Sequence, residues 1–408
     1  MPAQGVNMSI SLSKLNVSKP TVAIIGAGVS GLSIGWRLAQ AGAQVEIFER
    51  NDPGRGASWA AAGMLAARAE AEPGEETLLQ LNLKSQEMWP SFKDEVEAAA
   101  HMPIDYRDEG TLIVALDQDD AEALHFNYEF QSKLNLKVEW LSGREARKRE
   151  PFLSPNVTGA VYSPMDHQVE NRFLVDALRI AFMAAGGMLH NYTEITAIET
   201  KGDTVTGVRF GEKKLEVDVV VLAAGAWSRT IEGLPKELIP PVRPLKGQML
   251  ALRMDVNEPL LRHVLWAPKG IYMVPRADGR VLIGATVEEK DFDADLTAGG
   301  VLHLLRESWE ALPGIDELPI DEMWVGHRPT SRDDAPILGP TTLNGLVMAT
   351  GHHRNGILLA PVTADAISRY ILDGTMPTEI APFGIDRFQK KEPHRKISEN
   401  IKLRQGIA

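Results

Sequence analysis

Short aliphatic runs recur along this chain, each closed by a glycine or a polar turn. The first two are joined by a helical pattern. Residues 22–25 read as a strand; Leu32, Trp36 and Leu38 are the apolar positions of a helix that Ala41-Gly42 ends; residues 45–48 read as a second strand that closes at Glu49. Between the first strand and the helix, Gly26, Gly28 and Gly31 stand in the spacing G-x-G-x-x-G, filled by Ala27, Val29 and Ser30. Gly26 lets the strand turn sharply, Gly28 lets a pyrophosphate approach the backbone, and Gly31 lets the helix pack close to the sheet. The helix N-terminus then offers N–H groups to phosphate. Glu49 follows Gly31 by 18 residues, at the distance of an acid that accepts a hydrogen bond from a ribose 2′-hydroxyl. The pattern predicts dinucleotide binding, with FAD or NAD favoured over NADP.

Further along, the periodicity predicts a helix over 77–99 interrupted at Pro90, a strand within 108–116, a helix over 119–135, and a short charged helix capped by Ser142 before Pro151. A strand at 157–162, a loop at 165–170 and a helix over 171–186 follow, then strands near 188–190, 194–200 and 205–210. Residues 219–222 are all aliphatic, which suits a strand buried on both faces of a parallel sheet. Residues 241–325 change character. Strands at 247–253, 270–275 and 280–286, with Asp278-Gly279 as a hairpin turn, predict an antiparallel sheet, and a helix follows at 297–312. The last nucleotide-side elements are a strand at 345–350, a glycine-bounded turn at 351–356, and a helix over 357–372 with Pro361 in its first turn. The predicted fold is α/β with an α+β insert. A Rossmann-like domain (20–86, 157–240, 326–375) is interleaved with a mainly antiparallel substrate domain (87–156, 241–325). A lead-in (1–19) and a mostly polar tail (376–408), whose basic section is Lys390, Lys391, Arg395 and Lys396, flank them.

Composition narrows the partners. The 408 residues carry a net charge of −12, which argues against nucleic acid or an anionic membrane surface. The chain has no cysteine, so disulfides, thiolate nucleophiles, Fe–S clusters, cysteine zinc sites and a flavin linked through sulfur are excluded. No apolar run is long enough to span a bilayer, and the first residues lack the apolar core of a secretory signal; a cytoplasmic location is expected. No metal-ligand spacing is present. The only serine flanked by glycines in the relevant way, Ser30, lies inside the phosphate loop, so no nucleophile elbow is expected.

Several residues carry candidate chemistry. The small residues from Ala57 and Ser58 to Gly63 suggest close approach by something flat and bulky, and small residues return after the strand at 219–222, from Ala223 to Ser228. Arg328 and Arg354 each present a rigid fork suited to a carboxylate. Tyr272 could present its hydroxyl to the same pocket, or be a core aromatic. His352 and His353 invite a general-base role without an assigned partner, or are turn residues. A helix beginning near Gly356 would direct its positive end at a flavin edge.

With these residues in view, the chain resembles the D-amino-acid-oxidase family of flavoproteins, and within it the glycine-oxidase branch, from Lys19 to about Arg387. The carriers are residues 26–33, Gly56-Ala57-Ser58, Ala61-Ala62-Gly63-Met64-Leu65, residues 223–228, Arg328-Pro329-Thr330 with residues 334–340, and residues 351–361. The first is common to many flavoproteins. The Ala-Ala-Gly-Met-Leu segment and His353-Arg354-Asn355-Gly356-Ile357-Leu358-Leu359-Ala360-Pro361 are far more specific to that branch.

The resemblance implies noncovalent FAD and a cofactor set that adds Arg50, Met64, Ile195, Ala224, Gly225, Trp227, His353, Arg354, Asn355, Gly356 and Ile357 to the residues above. It implies oxidation of a small amino acid (glycine, sarcosine or a D-amino acid) to an imine, then to oxo acid and ammonia. Dioxygen would be the acceptor and hydrogen peroxide a product, and the enzyme would serve thiamine biosynthesis as a homo-oligomer. Arg328 would pair with the substrate carboxylate, Tyr272 would support it, and Arg354 and Met64 would lie beside the ring. No side chain is assigned as acid or base. Alternatives are a D-amino-acid dehydrogenase passing electrons to a quinone, a hydrogen-cyanide synthase subunit, and a nucleotide-binding protein without chemistry.

Overall fold

In the computed structural model, which describes residues 19–389, the first apolar run is the strand Thr21–Ile25 inside a six-stranded sheet. It pairs in parallel with Gln44–Phe48 on one side and with Val219–Leu222 on the other. Leu346–Thr350 continues the parallel run, Ile337–Pro340 adds an antiparallel edge, and Met188–His190 closes the opposite edge. Both faces are covered, so successive residues of one strand enter different cores. Val22 and Ile24 pack toward the helices Val29–Gln40, Asn171–Ala184 and Ala360–Asp373. Ala23 and Ile25 pack toward the three-stranded sheet of residues 197–216. This is why 219–222 carries four aliphatic residues without alternation.

The second sheet has eight strands, in the order Ile320–Thr330, Arg243–Arg253, Arg280–Gly284, Ile271–Pro275, Val264–Ala267, Thr111–Ala115, Gly159–Ser163, Glu139–Ser142. All its pairings are antiparallel except that of Val264–Ala267 with Thr111–Ala115. The hairpin at Asp278-Gly279 forms as expected, with Gly279 at φ +88°. Alternation sorts the faces. Ile271 and Met273 join a core shared with the helix Ala298–Ala311, whereas Tyr272 and Val274 point the other way, toward Ala60 and Ala62.

Several expectations are corrected. Helix Glu76–Ala100 runs straight through Pro90. Proline costs a helix interior ~3 kcal/mol. The neighbouring Trp89 and Phe92, together with Val96, are fully buried against the nucleotide-side core, and burying each contributes about 1.5–3 kcal/mol, while Pro90 itself faces solvent. The loop expected at 165–170 contains the strand His167–Val169, which pairs with Met64–Leu65 and Tyr106–Arg107. The last helix begins at Ala360; a turn spans the residues before it. The strands Val264–Ala267 and Ile320–Thr330 were not anticipated.

The expected domain boundaries cut through elements. Position 86/87 divides the helix Glu76–Ala100, which packs mainly on the nucleotide-side core, with Leu79 and Leu83 against Leu136 and Phe130. Gly159–Ser163, assigned to the nucleotide domain, pairs inside the eight-stranded sheet. Position 325/326 divides Ile320–Thr330. The expected polar tail is packed in its first part: Ile380, Phe383 and Ile385 are buried, and Arg387 pairs with Asp333. Residues 1–18 of the lead-in and the basic section from Lys390 lie outside the described residues.

Candidate active site

Where the two sheets meet, a cavity of about 910 Å³ runs from the glycine turn to Tyr272 and Arg328. Its nucleotide-side wall is built at the carboxyl ends of parallel strands, where ligands gather in doubly wound sheets. Gly26 at φ +106° turns the chain; a Cβ there would stand 2.5 Å from the Ala223 carbonyl oxygen. A Cβ on Gly31 would stand 2.0 Å from the Gly26 carbonyl oxygen, so the third glycine seats the helix on the turn itself. The Ser58 hydroxyl accepts the Val29 N–H at 2.9 Å, fixing the start of that helix.

Glu49 accepts the Ala27 N–H at 3.0 Å and the Asn51 N–H at 3.1 Å. A carboxylate has about four acceptor positions, so Glu49 braces the turn and retains capacity for a ribose hydroxyl. Ser30, Arg50, Ala57, Gly63, Ile195, Ala224, Gly225 and Trp227 line the same cavity, as do Gly26, Gly28, Val29, Glu49 and Ser58. The Arg50 guanidinium lies 3.8 Å from the Trp227 ring centroid, and Phe292 stacks on that ring. Ala27 and Gly31 do not line the cavity; nor does Asn355, which is buried and bonds within its own turn. Their places are structural, and residue spacing alone does not separate lining from support.

The second wall comes from the eight-stranded sheet and the segment Ala60 to Met64. Arg328 shares the face of Trp324 and Gly326 on strand Ile320–Thr330. Its guanidinium lies over Gly247 of the paired strand: a Cβ there would come within 2.5 Å of Arg328 Nη1. Its recorded bond is from Nη1 to the Thr286 carbonyl oxygen at 3.2 Å; among the described residues no acid pairs with it. Tyr272 is buried beside it. Burial raises the phenol pKa against the opposing influence of Arg328, so the hydroxyl stays protonated and can donate. Met64, His353, Gly356 and Ile357 also line the cavity.

Arg354 lines it too, but its partners are acids: Nε lies 2.6 Å from Glu70 Oε2 and Nη2 lies 3.2 Å from Glu75 Oε2. It is therefore not an open anchor like Arg328. Sequence reading missed Glu70, Gly247, Arg243, Met249 and Trp266, all of which line the cavity. Gly247 carried a signal, since a glycine inside a strand marks close approach; the acids at 70, 72, 75 and 76 resemble any solvated run.

The histidines are neutral elements of the wall. His352 Nε2 contacts the Thr363 hydroxyl at 3.2 Å, and His353 Nδ1 contacts the Thr330 hydroxyl at 2.9 Å. Burial lowers the His352 pKa to about 4. Burial, with Arg354, Arg328 and Arg243 nearby, lowers that of His353 to about 3. Neither ring is cationic near neutrality. An unfolded histidine titrates near 6.5, so the unfolded chain takes up protons first. The stability held by His352 is whole above pH 6.5 and is lost as pH falls toward 4. At pH 5 that loss is about 2 kcal/mol. The variant His352→Gln is expected to lose about 2 kcal/mol less than the wild type between pH 7 and pH 5, read from urea unfolding at both values. Equal losses would refute the buried neutral ring.

The residues present fit an FAD. The glycine turn leaves backbone open for a pyrophosphate, Glu49 can meet a ribose, and the small-residue segment Ala60 to Gly63 leaves a flat surface for a ring. Among the described residues there is no acidic or histidine cluster with metal-ligand geometry and no helix long and apolar enough to cross a membrane.

Comparison with known proteins agrees with this geometry. The family model described as FAD dependent oxidoreductase matches residues 21–370. A glycine oxidase of Geobacillus kaustophilus is 36% identical over 372 residues, covering 90% of this chain and 96% of that protein. A bifunctional protein ThiO/ThiG of Synechocystis is 38% identical over 374 residues, covering 90% of this chain and 54% of that one. The crystal structure of the Geobacillus kaustophilus glycine oxidase superposes with a TM-score of 0.85 at 34% identity, covering 91% of this chain and 99% of that one.

Proposed function

The chain belongs to the FAD dependent oxidoreductase family, and from that premise we propose that it oxidises the amine carbon of glycine or a comparably small amino acid. The products are an imine, its hydrolysis products oxo acid and ammonia, and hydrogen peroxide formed from dioxygen. The similarity to glycine oxidase and to the ThiO/ThiG protein supports a place in thiamine biosynthesis. The observation that carries the reading is Arg328: a guanidinium without an acid partner among the described residues, beside a protonated buried phenol, in the cavity that the glycine turn opens into.

FAD, when bound, supplies the two-electron oxidation. Gly26, Gly28, Ser30, Glu49 and Ser58 would hold its nucleotide half, and the Ala60 to Met64 segment with Gly356 and Ile357 its ring. Noncovalent attachment accords with a chain that has no cysteine. Arg328 holds the substrate carboxylate by charge-assisted bonds, and the Tyr272 hydroxyl donates to the same group. Together they fix the amine carbon at one orientation, and orientation alone accounts for much of such a rate. The neutral histidines, each bonded to a threonine hydroxyl, hold the wall and take no proton. A panel of glycine, sarcosine, D-alanine and D-proline with peroxide detection tests the reading. Peroxide release from at least one without an added acceptor is expected; turnover only with a quinone would replace the oxidase reading by a dehydrogenase.

A further inference from the structure

Among the arginines that line the cavity, Arg328 and Arg354 differ in their surroundings. Arg328 has a carbonyl for a partner. Arg354 has Glu70 at 2.6 Å and Glu75 at 3.2 Å. The Glu70 side chain is 13% exposed and that of Glu75 is 35% exposed, so Glu70 is the inner partner and Glu75 sits at the rim. Glu70 and Arg354 line the cavity together with Tyr272 and Arg328. Burial raises the Glu70 pKa and the adjacent Arg354 guanidinium opposes that rise, while the charges of Arg354 and Arg328 both act on His353.

The backbone that carries Glu70 is anchored. The buried Asp166 accepts the Arg68 N–H at 3.1 Å and the Ala69 N–H at 2.5 Å. Gln86 donates to Asp166 and to the Leu65 carbonyl oxygen. The segment that leads into Glu70 is thus held by buried polar partners.

We propose that Glu70 sets the substrate class by neutralising Arg354, leaving Arg328 as the open anion anchor beside Tyr272 and selecting amines with one carboxylate over amines with two. This rests on the amino-acid oxidase reading above. A second acid on the substrate would find the Arg354 fork occupied and would face the like charge of Glu70. A repulsive element of this kind separates related ligands that share the main anchor. Glu70→Gln keeps the shape and removes the charge. It frees the inner edge of Arg354 for a second carboxylate.

The test uses the FAD-loaded enzyme and two ligands that it cannot oxidise, acetate and malonate, with dissociation constants read from the flavin absorbance change. Glycine and iminodiacetate serve as the matching oxidisable pair. In E70Q the preference for malonate over acetate is expected to rise about tenfold or more, the worth of a charge-assisted contact, and iminodiacetate should gain on glycine in kcat/KM. Adding R354M to E70Q should abolish the gain, and E75Q at the rim should shift the preference far less. E70A is read in parallel, with flavin content as the check on folding. An unchanged malonate preference in both Glu70 variants overturns the proposal, as does a gain that survives R354M or is matched by E75Q. If wild-type enzyme neither binds acetate nor oxidises any small amino acid, the underlying reading fails instead, and the proposal falls with it.

Discussion

Lysine in place of Arg328 is expected to raise KM for glycine by about a hundredfold, ~3 kcal/mol, while FAD content and the flavin spectrum stay as in the wild type. The guanidinium is a planar fork that can pair both carboxylate oxygens, and it lies flat across Gly247 because no Cβ stands there. A lysine ammonium is a point charge on a flexible stem. It would keep attraction and lose the orientation that holds the amine carbon in place. The strand Ile320–Thr330 pairs along the length of Arg243–Arg253, so the backbone under residue 328 does not depend on the side chain. Steady-state kinetics with glycine, set beside FAD content, separate the effects. Unchanged glycine kinetics would remove Arg328 from the site.

The second large effect is expected at Arg276, which is 2% exposed. Its Nη1 donates to Gln168 Oε1 at 3.1 Å and the Val169 carbonyl oxygen at 2.9 Å; its Nη2 donates to the Ala62 carbonyl oxygen at 2.9 Å and Asn171 Oδ1 at 3.0 Å. Asn171 in turn donates to the Ser58 and Trp59 carbonyl oxygens. One buried guanidinium therefore ties the hairpin of the second sheet to the segment that walls the cavity. Nε lies 3.3 Å from Glu170, which Arg280 also pairs. Arg276→Met leaves two buried carbonyls without this donor and Glu170 with one cation. The expected cost is about 3–5 kcal/mol, a fall of about 4–6 °C in Tm for a chain of this size, together with weaker FAD retention. Arg276→Lys should fall between, because it restores charge without the fork. A shift of Tm below about 1 °C in the methionine variant would show that the network carries little.

The core of the nucleotide side was readable because its signals are local. Glycine spacing, an aliphatic run and a helical period each lie within a few residues, and Glu49 follows at a fixed distance. Ser142 was readable as a cap for the same reason, and its capping box with Glu145 forms. What escaped depends on contacts between distant segments. Pro90 stays helical because Trp89 and Phe92 find a buried partner surface that no window of sequence displays. Arg328 and Arg354 were equivalent as residues; Glu70, remote in the chain from both, separates them. The strand Ile320–Thr330 lies at the sheet edge, and its first four residues, the apolar Ile320 and Met323 among them, are exposed or half-buried, so its first half lacks the pattern of a buried strand.

On the proposed function, a small amino acid, held by Arg328, reduces the bound FAD. The most direct measurement is to mix the yellow holoenzyme with glycine in the absence of oxygen and follow the flavin band at ~450 nm. The expected result is bleaching that saturates with glycine concentration, is restored by admitting oxygen, and releases peroxide in proportion to the flavin present. A band that stays unchanged with glycine, sarcosine and the small D-amino acids alike would contradict the claim.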